Sequence, residues 1–196
     1  NYLTRQEGKG AQDGGGALKQ MPNAAVKVVH LLEQLKSAYK AFTAGQFVEA
    51  RNSLNSILCA VPFVVATNRS ETNDLKDLVN VSREYVTAIR VKDAMSAAGS
   101  SNVPRNLELV SYFTHCNLQS AHLLLALKTA MASAFKNKNY INAASFARRL
   151  LELPDINLER NEDTKSKASK VLQKSEKEGR NEHTIDYDER NPFRYV

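Results

Sequence analysis

Tryptophan is absent, cysteine appears twice and proline five times among 196 residues. Two thiols as far apart as Cys59 and Cys116 cannot build the disulfide framework of a small secreted domain, and no apolar leader stretch lies near the N-terminus. Both are expected as core filler in a reduced, cytoplasmic setting. The longest apolar stretch, Leu118 to Phe135, is broken by Gln119, Ser120, His122, Lys128, Thr129 and Ser133. A helix crossing a membrane needs about 18 apolar residues or more in a row, so none is expected.

Also lacking is any constellation for catalysis or metal binding. His30, His115, His122 and His183 form no HExxH, HxH or CxxC set. His115, Cys116 and His122 lie close together, but zinc would need a fourth ligand and none is evident, so these are expected as hydrogen-bonded structural histidines. Gly14 to Gly16 has neither the Lys-Ser/Thr ending of a phosphate loop nor a strand and helix around it, and reads as spacer. No nucleophile is matched with a base. The chain is therefore expected to be no enzyme and to hold no cofactor and no metal.

What is present is helical periodicity. Residues 1–23 are polar and glycine-rich and read as a flexible linker, because they bury too little to offset the entropy of ordering. Val28, Leu31, Leu32, Leu35, Tyr39 and Phe42 then step by three and four, which predicts an amphipathic helix stopping near Gly45. A second helix follows from about Gln46 to Cys59. VPFVVAT after it is short enough to be a buried connector, and Ser70 is the expected cap of a long third helix reaching Gly99. Asn102 and Pro104 open a fourth helix, and Leu118 to Lys136, apolar on most sides, a central fifth. A sixth spans Asn139 to Leu153. A seventh, from about Asn161 to Glu178, carries only Ala168, Val171 and Leu172 as a stripe and is expected to pack weakly. Residues 24–179 thus form an all-α domain of six to seven helices in antiparallel hairpins, and 180–196 an extended tail.

Self-comparison finds a repeat. Ala41-Phe42, Phe47, Ala50 and Ile57-Leu58 recur 93 positions later as Ala134-Phe135, Tyr140, Ala143 and Leu150-Leu151. Small residues that let backbones approach, with an aromatic plugging the turn, resemble tetratricopeptide geometry, although packing rules for any helix pair could give the same recurrence.

The charge balance is basic, 27 Lys and Arg against 21 Asp and Glu. That favours an acidic protein, an anionic membrane surface or a nucleic acid as partner. Between Arg160 and Arg180, however, Glu162, Asp163, Glu176 and Glu178 are interspersed, as on a solvated helix face, and no aromatics stand ready to stack bases. Nucleic acid is not expected, though a basic helical adaptor for it, or for another acidic partner, is the alternative. Arg148 and Arg149 are candidates for an acidic-partner contact.

Two blocks carry a family resemblance: YFTHCNLQ (Tyr112 to Gln119) and AASFARRLLEL (Ala143 to Leu153), with weaker support from Phe47 to Val65, from Ser82 to Val86 and from Asn191-Pro192-Phe193. They resemble the C-terminal region of the coatomer alpha subunit. The resemblance implies a structural part of the COPI coat, cytoplasmic and peripheral on Golgi and vesicle membranes, acting in Golgi-to-ER and intra-Golgi transport. It also implies the epsilon subunit, itself a tetratricopeptide protein, and other coatomer subunits as partners. The family reads dilysine cargo signals through an N-terminal propeller that has no counterpart here, so cargo recognition is not carried over. The family also continues beyond NPF into a cysteine-containing, strand-rich segment that this sequence does not match. Tyr187, Asn191, Pro192 and Phe193 join Arg148 and Arg149 as expected partner-binding residues.

Overall fold

The computed structural model describes residues 3–4, 23–24, 26–99 and 101–190. Most of the expected linker, and Asn191, Pro192 and Phe193, lie outside the described residues. Leu3–Thr4 (β1) pairs antiparallel with Asn23–Ala24 (β2). Apart from an isolated bridge between Asn139 and Asn181, the other regular structure among the described residues is helical, and the chain divides into two compact units, 1–83 and 84–196.

In the first unit, α1 (Val28–Thr43) and α2 (Phe47–Ala60) form a hairpin. The three-and-four spacing of α1 turns Val28, Leu31, Ala38 and Phe42 inward, and α2 answers with Ala50, Leu54 and Ile57. Leu31, Ile57 and Leu78 meet at the centre. The turn between the helices is closed by Gly45, whose φ of +78° only glycine adopts without strain, with its N–H donating to Phe42 O.

Two sequence expectations fail in this unit. VPFVVAT is not a buried connector. It makes a 3-10 turn over Val61–Phe63 and then extends, so Val61 and Val64 face the core while Phe63 and Val65 are 66% and 84% exposed. Cys59 is not core filler either. It lies two residues past the fully buried Ile57, on the opposite face of α2, and is exposed, whereas Cys116 is buried.

The long helix α3 (Arg69–Ala98) runs through the division between the units. Its cap is Asn68, not Ser70. Asn68 Oδ1 accepts the Glu71 N–H at 2.8 Å, while the Glu71 carboxylate reaches back to the N–H and hydroxyl of Thr67 at 2.7 and 2.8 Å. Ser70 sits inside the first turn.

The second unit holds the rest of α3, then α4 (Val103–Phe113), α5 (Ser120–Lys136), α6 (Tyr140–Glu152) and α7 (Glu162–Glu178). Asn102 caps α4 as expected, its Oδ1 accepting from the Arg105 N–H at 3.2 Å. The core gathers on α5 through Leu124, Leu127 and Met131, which share a cluster with Leu107, Phe146, Leu150 and Ile156. One face of α5 stays open to solvent, with Leu125 half exposed. No helix among the described residues is long and apolar enough to cross a membrane.

The expectation of weak packing fails for α7, which lies along both α6 and α5. Its inward positions are Thr164, Ala168 and Ser175, all buried. A stripe built from small side chains looks thin in a hydrophobicity pattern, yet it lets the helix axis come close and brings backbone atoms into contact.

The repeat is geometric as well as sequential. In the first hairpin the N–H groups of Ala44, Gly45 and Gln46 donate to the carbonyls of Lys40, Phe42 and Ala41. In the second, those of Asn137, Lys138 and Asn139 donate to Ser133, Phe135 and Ala134, each 93 positions on. Phe42 and Phe47 meet edge to face with centroids 5.4 Å apart, and Phe135 and Tyr140 do so at 5.7 Å. Lys138, at φ +54°, stands where the first hairpin has Gly45.

Lys138→Gly should therefore stabilise the protein by up to about 1 kcal/mol in urea denaturation, since a left-handed residue with a Cβ carries strain of that order. Gly45→Ala should lose about 1 kcal/mol through backbone strain alone, because an added Cβ there meets nothing within 4 Å.

Candidate functional site

The polar chemistry of the second unit converges on the segment after α7. Gly179, at φ +58°, turns the chain out of the helix, and residues 180–190 then pass the α5–α6 turn, the start of α6 and the side of α4 as a non-helical strap. Asn139, fully buried at the α5–α6 turn, grips it by the backbone: its Nδ2 donates to His183 O at 3.0 Å and its Oδ1 accepts the His183 N–H at 2.9 Å. The Tyr140 N–H donates to Arg180 O, and Asn181 Oδ1 accepts the Ile141 N–H. The first N–H groups of α6 have no acceptor within their own helix, so the strap satisfies donors that the fold leaves over.

Further along, the Asp186 N–H donates to the Glu108 carboxylate at 3.0 Å and the Tyr112 hydroxyl donates to Asp186 O at 2.7 Å. Ile185 and Tyr187 pack against the core cluster, with Tyr187 edge to face on Tyr112. The Tyr187 hydroxyl lies 2.6 Å from His115 Nε2. Arg149 completes the group. Its Nη2 donates to Thr114 O at 2.8 Å, and its Nη1 donates to Thr114 Oγ1 at 2.9 Å and to His115 Nε2 at 3.2 Å. With Nε2 accepting, the His115 proton resides on Nδ1.

Electrostatics follow from that geometry. Burial, together with the Arg149 charge, pushes the His115 imidazole down to about 4, so it is neutral at physiological pH. Burial pushes Tyr187 up to about 12 and the Cys116 thiol, facing the Glu84 carboxylate as well, also up to about 12. A second buried pair has the same character. The Tyr85 hydroxyl is 2.6 Å from His122 Nδ1 and accepts the Gln119 N–H, and burial lowers His122. Such groups hold buried hydrogen bonds in their neutral forms.

Among the residues named from the sequence, Arg149 from α6 and Tyr187 from the strap are brought together at His115. Arg148 points the other way, exposed, and pairs with Glu176 at 2.9 Å. Sequence reasoning missed Thr114, Glu108 and above all Asn139. A lone asparagine ahead of a helix looks like a cap, and only the fold shows that it clamps a segment 44 positions away. Among the described residues there is no group of three or more His, Cys, Asp or Glu able to hold a metal.

A family profile for the C-terminus of the coatomer (COPI) alpha subunit matches residues 2–196. The chain belongs to this family. It is similar to coatomer subunit alpha of Dictyostelium discoideum, 41% identical over 172 residues, which cover 84% of the chain and 14% of that relative. Against coatomer subunit alpha-1 of Arabidopsis thaliana it is 42% identical over 162 residues, 82% of the chain and 13% of the relative. The yeast coatomer subunit alpha, from Saccharomyces cerevisiae, is 25% identical over 121 residues, 62% of the chain and 10% of the relative. This coatomer alpha C-terminal region thus spans about one seventh of the first two relatives' length. The YFTHCNLQ and AASFARRLLEL blocks now have a structural meaning, because they supply Tyr112 and His115, which meet the strap, and Thr114 and Arg149, which bond to each other beside them.

The cluster sets a pH dependence. Unfolded, His115 takes up a proton near pH 6.5, but folded only near pH 4, so stability present at neutral pH is lost as pH falls through that window. His122, lowered by burial, acts in the same direction. Melting temperature should fall on acidification from pH 7 to pH 4, and His115→Gln should make that decline shallower. Tyr187→Phe should cost about 1 kcal/mol and speed amide exchange at Asp186 and His183.

Proposed function

We propose that this region works as a structural, non-enzymatic part of the COPI coat, docking onto the coatomer epsilon subunit in Golgi-to-ER and intra-Golgi transport. The match of nearly the whole chain to the coatomer alpha C-terminal family carries the reading. The arrangement of the polar groups supports it: His115, His122, Tyr85, Tyr112 and Tyr187 spend hydrogen bonds on holding the chain together, which suits a rigid platform better than a reaction centre. Through epsilon and other coatomer subunits the region would be peripheral on Golgi and vesicle membranes while itself cytoplasmic.

In this proposal Asn191, Pro192 and Phe193 provide contacts to epsilon. Arg149 and Tyr187 act by fixing the strap from which that tripeptide continues, and Arg148 adds an exposed charge. A stable subunit interface buries roughly 1,200 Å² or more and rests on a few anchors, each of which costs about 2 kcal/mol or more when truncated. The full chain should co-elute with purified epsilon subunit in size-exclusion chromatography, and Phe193→Ala should weaken that association at least tenfold. Failure to co-elute would sink the epsilon reading, and undiminished affinity of Phe193→Ala would remove the tripeptide from the contact.

The net charge of +6 keeps one rival in view, a basic adaptor for nucleic acid. That reading requires an RNA complex whose affinity collapses between low and moderate salt. In a mobility-shift assay at two salt concentrations the expected outcome is no saturable complex at either.

A further inference from the structure

Helices α5 and α7 of the second unit leave between them a groove of about 280 Å³. Its floor is apolar, made by Met131, Ala132, Phe135 and Val171, with space for one or two large side chains. Its rim is cationic. Lys128 and Lys136 stand on α5 and Lys167 on α7, and the Lys174 ammonium lies 5.3 Å from the Phe135 ring centre. The two helices run in the same direction here, Lys128 facing the start of α7 near Asp163 and Phe135 facing Lys174 a few turns on. The floor therefore stretches about 10 Å, at 1.5 Å per residue from Lys128 to Phe135.

The surface around the groove behaves as a positive patch. Asp163 pairs with Lys167 at 2.6 Å and also feels Lys128 and Lys170, which together hold its carboxyl below the usual carboxylate range. One carboxylate set among several ammonium groups leaves the rim short of negative charge. Leu125, one turn before Lys128, extends the apolar stripe along the open face of α5 and is 52% exposed.

We propose that this groove receives an amphipathic helix from a partner protein, its leucine or phenylalanine face entering between α5 and α7 and its flanking Asp and Glu side chains meeting the lysines. Two features select that occupant. The apolar floor is adaptable, with a methionine and an aromatic ring among its lining residues, as in other grooves that take a helix. Lysines line both helices, so carboxylates are wanted on both flanks of the guest. A flat anionic membrane would meet the ammonium groups but leave the floor unfilled. The proposal does not rest on the epsilon reading, and either can fail alone.

Fluorescence polarisation tests it, using the full chain and a labelled synthetic helix with leucines along one face and glutamates on both flanks. Saturable binding is expected. Ala132→Glu, which puts a charge on the exposed floor, should weaken it about tenfold or more, as should the double reversal Lys128→Glu with Lys167→Glu. The same peptide with lysine in place of glutamate should prefer the double reversal to the wild type by a similar factor. All three positions are exposed, and an unchanged circular dichroism melt confirms that each variant folds. Absence of saturable binding, or equal affinity of wild type and both variants, overturns the proposal. So does binding to phosphatidylserine vesicles that the lysine reversal abolishes while the peptide fails to bind.

Discussion

Helix backbones in this protein come together where side chains are smallest, and the rest of the architecture follows from that contact. Ala50 in the first hairpin, Ala130, Ala134, Ala143 and Ala147 in the second, and Ala168 on α7 are all fully buried. Each removes bulk at a crossing point, and each neighbouring large residue then fills the space beside it: Leu54 and Ile57 in one hairpin, Phe146 and Leu150 in the other. Close packing of this kind yields much dispersion energy per residue but tolerates little added volume. It also explains why α7, thin in hydrophobicity, is nonetheless firmly seated.

Much of the helical fold was legible in the residues. Gly45, Gly99, Asn102 and Gly179 mark boundaries through conformations or caps that few other residues supply, and the three-and-four stripes locate α1, α4 and α6 to within a residue or two. The errors have physical causes. At Asn68 and Ser70 two good caps stand two positions apart, and the reciprocal contact between Thr67 and Glu71 decides for Asn68. At Cys59, Phe63 and Val65, hydrophobic character suggested burial where the chain's rotation placed each side chain outward. The candidate site was only half legible. Arg149 and Tyr187 read from the sequence as partner-binding residues, and the structure adds their hydrogen bonds to Thr114 and His115, a pairing across long stretches of chain that no local pattern encodes.

A platform of this design suits an assembly protein. Coatomer alpha relatives are similar to it over most of the chain, and in the docking role proposed above a pre-ordered surface would leave few side chains to order at the interface. The duplicated hairpin contributes by offering two turns of one geometry. In the second, Asn139 and the following N–H groups are occupied by the strap. In the first, Gln46, Phe47 and Val48 hold the corresponding positions with a longer amide and an open, apolar turn.

The strap has a consequence for synthesis on the ribosome. Its bonds join His183 to Asn139, Tyr187 to His115 and Asp186 to Glu108, spans of 44, 72 and 78 positions. Every helix it fastens leaves the exit tunnel before it does. Until the strap follows, Asn139, Glu108 and Tyr112 must be served by water, and the apolar bed for Ile185 and Tyr187 lies bare. Closure of such long loops comes late and costs chain entropy. Emerging after its helices, the strap can fasten them only once they are outside the tunnel, so its contacts are the last of this unit to become available.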